Sequence, residues 1–105
     1  MKISVGVPVY NEERYIRETL DSILNQSFTD FELIISDNAS TDASGEICRG
    51  YAGRDKRIRY YRQERNIGQT LNLNFVFMQS QGMYFKWCGG HDVLHPDCLS
   101  HLLAE

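Results

Sequence analysis

Four short stretches of this chain bring together side chains able to do chemistry: Tyr10-Asn11-Glu12, Asp37 to Asp42 (DNASTD), Glu64 to Gly68 (ERNIG) and Gly89 to Asp92 (GGHD). Each follows an apolar run and mixes carboxylates, amides, hydroxyls or an imidazole with small residues. One alone is ordinary loop vocabulary, because Asn, Asp, Ser and Gly favour turns. Carboxylates in such positions suit a ligand's hydroxyl and N–H donors, or a cation carried with a phosphate, since a bare carboxylate repels phosphate itself. Asp37 is therefore read as a partner for a base or ribose. Thr41 and Asp42 fit helix capping as well as ligand contact.

The elements that must position these residues are legible in the hydrophobic pattern. Residues 2–9 alternate with the period of a strand, through Ile3, Val5, Val7 and Val9. Asn11 is placed as a helix N-cap, with Glu12 and Glu13 in the first turn where the helix dipole favours them. That helix is expected to run to about Asn25, burying Tyr15, Ile16, Leu20, Ile23 and Leu24. Residues 30–37 form a second strand, and the unbroken Leu33-Ile34-Ile35 implies cover on both faces. A helix weakened by Gly45 and Gly50 spans Thr41 to Arg54, and a third strand spans residues 57–63. Residues 67–80 read as a helix with Leu71, Phe75 and Met78 on one side, and residues 83–88 as a fourth strand. Pro96 is placed as the first residue of a last helix reaching Leu103. Strand alternating with helix predicts an open, mostly parallel α/β sheet with helices on both faces. Ligands bind such sheets outside the carboxyl ends of the strands, so all four stretches are expected on one rim.

Composition narrows the function classes. The 105 residues suffice for one domain, and 42% hydrophobic with 24% charged residues indicates a folded, globular chain. A net charge of -3 excludes a general nucleic-acid binder, which needs clustered positive charge to displace counterions from phosphates. The arginines between Arg54 and Arg65 are interrupted by Asp55 and Glu64, as on a solvated face. Cys48, Cys88 and Cys98 are odd in number and widely spaced, which fits reduced thiols in a cytoplasmic setting. No apolar run approaches the roughly 20 residues of a transmembrane helix, so any membrane association is expected to be peripheral, at the inner face.

The segment SVGVPVYNEERYIRETLDSILNQSFTDFELIISDNASTD, with RNIGQTLNLN and HDVLHPD after it, resembles a family 2 glycosyltransferase of the GT-A fold. The resemblance covers essentially the whole chain. It implies the Rossmann-like, nucleotide-binding half of an enzyme that transfers a sugar, with inversion, from a nucleotide-sugar donor, UDP-linked, to an acceptor saccharide or lipid-linked acceptor in building cell-envelope polysaccharide. It also implies site residues. The turn from Pro8 through Tyr10 to Glu12 would border base and ribose, with Glu12 a polar contact; Asp37, with Asn38 beside it, would hydrogen-bond the base. Asn66 and Gly68 would line the pocket and Asn74 would shape it.

At the metal motif the chain departs from the family pattern. The family's Asp-x-Asp falls on Gly89, Gly90 and His91, with Asp92 at a further acidic position. His91 and Asp92 are the ligands left for Mn²⁺ or Mg²⁺, and imidazole beside carboxylate suits Mn²⁺ better than Mg²⁺. The family's general base and acceptor half lie beyond this motif, so the chain is expected to be a truncated donor half. The rival reading is a non-catalytic nucleotide-binding or assembly module. A phosphoacceptor regulator built on Asp37 fits poorly, because Lys2, Lys56 and Lys86 are not placed for it. An incomplete sheet leaves an open edge, from which homo-oligomers are expected.

Overall fold

A computed structural model describes residues 2–104 of the chain. Its elements alternate without exception: β1 Ile3–Val9, α1 Ile16–Leu24, β2 Phe31–Asp37, α2 Ser44–Arg54, β3 Ile58–Arg62, α3 Gln69–Met78, β4 Tyr84–Trp87 and α4 Cys98–Ala104. The strands form one sheet in the order β3-β2-β1-β4, and every pairing is parallel. None of the helices among the described residues is long and apolar enough to cross a membrane.

The period of two in the strands sorts side chains onto two unlike faces. Ile3, Val5, Val7 and Val9 of β1 join Phe31, Leu33 and Ile35 of β2 in one apolar core with Ile16, Leu20 and Ile23 of α1, Cys48 of α2 and Leu99 of α4. The opposite face carries Ser4 and Gly6 of β1 and Glu32 and Ser36 of β2, and α3 covers it, through Asn72 and Val76. A Cβ added at Gly6 would lie 2.4 Å from Val76 Cγ1 and 2.5 Å from Phe85 Cζ, so the absence of a side chain there lets α3 and β4 close over β1. Glu32, buried to 3% exposure, ties this face together by accepting from Ser4 Oγ (2.6 Å), Gln81 N (2.7 Å) and Arg59 Nη2 (2.6 Å).

Several helix ends differ from the sequence expectation. Asn11 does not cap α1: it has a positive φ of 51°, and Glu12 O accepts from Tyr15 N and Ile16 N in a turn that delays the helix to Ile16. Glu12 and Glu13 thus lie outside the helix, and Tyr15 is exposed. The buried stripe of α3 is Asn72 and Val76, while Leu71 and Met78 are exposed, because the helix is apolar almost all round and its polar partner Ser36 selects the face. Pro96 lies in the turn before α4, which starts at Cys98.

Candidate functional site

A cavity of about 280 Å³ opens at the carboxyl ends of the strands, and every strand end contributes to it. Pro8, Val9, Tyr10 and Glu12 come from the exit of β1, and Asn38 from the exit of β2. Asn66 precedes α3 while Gln69 and Asn72 lie on it, and Gly89, Gly90 and His91 follow β4. The structure thus brings together Pro8, Tyr10, Glu12, Asn38, Asn66 and His91 of the residues expected from sequence.

Asp37, expected to contact the base, does not line the cavity. It is fully buried: Oδ1 accepts from Ser40 N (3.0 Å), and Oδ2 accepts from Tyr60 Oη (3.0 Å) and Arg62 Nη1 (2.7 Å). Gly45 leaves room for this cluster, since a Cβ there would come within 2.9 Å of Asp37 Oδ2. Burial first, then the Asp37 charge and hydrogen bond, push the Tyr60 phenol above its ordinary range, so it remains a donor at neutral pH. Asn74 is exposed on α3 and does not line the cavity; Asn72, one half-turn earlier, does. The helical period explains the exchange, because Asn72 shares its face with the buried Val76 four residues on.

Beyond Asn38, the polar run from Ser40 to Ser44 stitches two loops together and does not line the cavity. Asn11 N donates to Ser40 Oγ (2.9 Å), Thr41 N to Asn11 Oδ1 (2.8 Å) and Glu12 N to Ser44 Oγ (2.8 Å). Glu13 N and Ser44 N both donate to the Asp42 carboxylate. Although partial burial opposes it, these bonds hold the Asp42 carboxyl below its usual range. Ala39, with φ 61°, lets the chain reverse between Asn38 and Ser40. Tyr10 and Glu12 are thereby fixed opposite Asn38. Asn38 in turn bridges to the third loop: Nδ2 donates to Asn66 Oδ1 (3.0 Å) and Gly68 O (3.3 Å), and Oδ1 accepts from Ile67 N (2.9 Å). Gly68 lies outside the lining and acts through its backbone, at a φ of 88° that disfavours any side chain.

Sequence reasoning missed how the fourth loop is held. Thr19 and Ser22 of α1 and Gln26 just beyond its end form a polar stripe, and the spacing of three and four residues is its signal. Thr19 Oγ1 donates to Gly90 O (3.1 Å), Ser22 Oγ accepts from Leu94 N (3.0 Å), and Gln26 bonds His95 O and Leu99 N. Gln69 was also missed as a lining residue. Cys48 and Cys88 are buried, and burial above all pushes their thiols up to about 12, away from the thiolate form a nucleophile needs.

As a metal centre the site does not fit. Among the described residues no three His, Cys, Asp or Glu side chains converge on one point. His91 stands between two carboxylates, with Nδ1 3.4 Å from Glu12 Oε1 and Nε2 3.9 Å from Asp92 Oδ1. The two ring nitrogens point away from each other, so an ion on one is turned from the carboxylate facing the other. Asp92 Oδ2 is already engaged by Gly89 N at 2.9 Å.

Known proteins match this chain closely. Glycosyltransferase GlyA of Streptococcus pneumoniae is 40% identical over 104 residues, 99% of this chain but 15% of its own length. Glycosyltransferase GlyG of the same organism is 34% identical, over 98% of this chain and 34% of its own. The chain thus spans between 15% and 34% of the length of these relatives. Among solved structures, S. aureus TarS 1-349 in complex with UDP superposes with a TM-score of 0.91 at 31% identity, over 99% of this chain and 31% of TarS 1-349. The family model for Glycosyl transferase family 2 matches residues 4–105. Parallel sheet, strand-end cavity and sequence agree, and the chain belongs to glycosyltransferase family 2, with the fold of its GT-A enzymes.

Proposed function

We propose that the cavity binds the nucleoside of a nucleotide-sugar donor, UDP-linked, and that the protein carrying this domain transfers the sugar to an acceptor hydroxyl with inversion. The carrying observation is the convergence of Tyr10, Asn38 and Asn66 on one cavity at the strand ends. Tyr10 is 45% exposed and offers a flat aromatic face to a base. The amides of Asn66 and Gln69 supply both donors and acceptors, the complement of uracil's alternating carbonyls and N–H, and Asn38 holds Asn66 in place beside them. TarS has been solved with UDP and with UDP-GlcNAc, which supports the uridine assignment.

Transfer requires the acceptor oxygen to attack the anomeric carbon as the bond to the diphosphate breaks, while a base within hydrogen-bond reach takes the acceptor proton. The family resemblance sets that base outside the described residues. The acceptor, saccharide or lipid-linked, would be met there too. A purely nucleotide-binding module is the second reading, favoured by the glycines at positions 89 and 90.

Calorimetric titration with UDP tests the assignment. Tyr10→Ala is expected to weaken binding about tenfold or more, as loss of one base stack does. Asn38→Ala should weaken it too, whereas Lys56→Ala, outside the cavity, should not. Isotherms unchanged in both cavity variants would refute this reading.

A further inference from the structure

The nucleotide reading above is the premise here. A nucleoside diphosphate brings negative charge to the cavity mouth, and that charge is met by hydrogen-bond donors or a cation. No lysine or arginine lines the cavity, and His91 is the lining side chain that brings an imidazole N–H to it. Acidic side chains already crowd the two glycines of the loop. A Cβ at Gly89 would sit 2.9 Å from Asp92 Oδ2, and one at Gly90 would sit 2.8 Å from Glu12 Cγ. Asp92 and Glu12 thus fill the positions flanking the loop, and Asp92 spends one oxygen on Gly89 N.

The geometry points to His91 as the group that grips the diphosphate, in place of a divalent ion held by the protein. Its ring is 63% exposed beside the cavity, within reach of a phosphate oxygen there. Glu12, 3.4 Å from Nδ1, orients one ring edge and leaves the other for the ligand. The loop beneath is anchored, because Thr19 Oγ1 holds Gly90 O. An imidazole N–H donating to a phosphate oxygen forms a charge-assisted hydrogen bond. Donor binding by this chain is accordingly independent of Mn²⁺ and Mg²⁺.

The test is an NMR titration of the chain with uridine and with UDP, each in EDTA and in Mn²⁺, for the natural sequence, His91→Ala and His91→Gln. UDP should bind in EDTA with the affinity it has in Mn²⁺. His91→Ala should weaken UDP about ten- to a hundredfold, the share of one hydrogen bond to a charged group, and leave uridine unchanged. His91→Gln, which keeps an N–H donor, should recover part of the loss. Unchanged uridine binding also certifies that the variants are folded. If UDP binding needs Mn²⁺, or His91→Ala binds UDP as tightly as the natural chain, the assignment of His91 is overturned while the nucleotide reading stands. If neither uridine nor UDP binds the natural chain, both fall together.

Discussion

Burying a carboxylate costs solvation free energy, and Asp37 recovers it from Arg62, the Tyr60 hydroxyl and the Ser40 amide. Those three donors come from β3 and from the loop after β2, so this residue sets the angle at which Asn38 leaves the sheet. Asp37→Ala strands Ser40 N and Tyr60 Oη, and is expected to cost about 2 kcal/mol of stability. A lowered urea midpoint would report it; an unchanged midpoint would mean that water replaces the carboxylate without loss. At Asn38 the same logic runs outward, because its amide joins two loops and faces the cavity as well. The sequence presents Asp37 and Asn38 as adjacent polar residues at a strand end. Strand alternation turns them to opposite sides, and only one can reach the cavity.

At the level of elements, α3 decides the shape of the site. Its amide Asn72 accepts from Ser36 Oγ (2.6 Å) and donates to Ser36 O (3.0 Å), and Val76 rests on Gly6. These two anchors fix the rotation of a helix whose hydrophobic pattern leaves rotation undetermined. Gly6→Ala would force a methyl between Val76 and Phe85, and overpacking of this kind costs about 1–3 kcal/mol. Thermal unfolding should register the loss, and accommodation at no cost would show that α3 slides on β1. The periodicity of α1 reveals both its buried stripe and its polar one, but a polar stripe reads as solvent-facing until the loop after β4 is seen lying across it.

Across the whole molecule, the end of the sheet remote from the cavity is held by charge. Glu32 links β2 to Ser4 of β1, Arg59 of β3 and the turn after α3. Burial alone would raise its carboxyl, yet the bonds from Ser4, Gln81 and Arg59 outweigh it and the net shift is downward. A depressed folded-state value means stability that is present above the unfolded-state value and lost as pH falls through the folded one. The chain should therefore lose stability on acidification below about pH 4.3, the ordinary glutamate range. Glu32→Gln should flatten that acid limb in urea titrations, and an acid limb unaltered in the variant would remove Glu32 from the account. Asp42 and Asp55, also lowered, act with the same sign.

What the sequence determined by itself was the alternation of strand and helix, the parallel sheet and the gathering of four loops on one rim. These follow from local periodicity and from the handedness of crossovers, both written in short stretches of chain. The tertiary structure decided which polar residues face the cavity. Asn72 replaced Asn74, and Asp37 turned inward to Arg62. It also decided that Asn11 joins two loops instead of capping a helix, and that Glu12, His91 and Asp92 stand side by side without converging. Hydrogen-bond partners from distant segments set each of these, and the partner's position is not encoded near the residue that needs it.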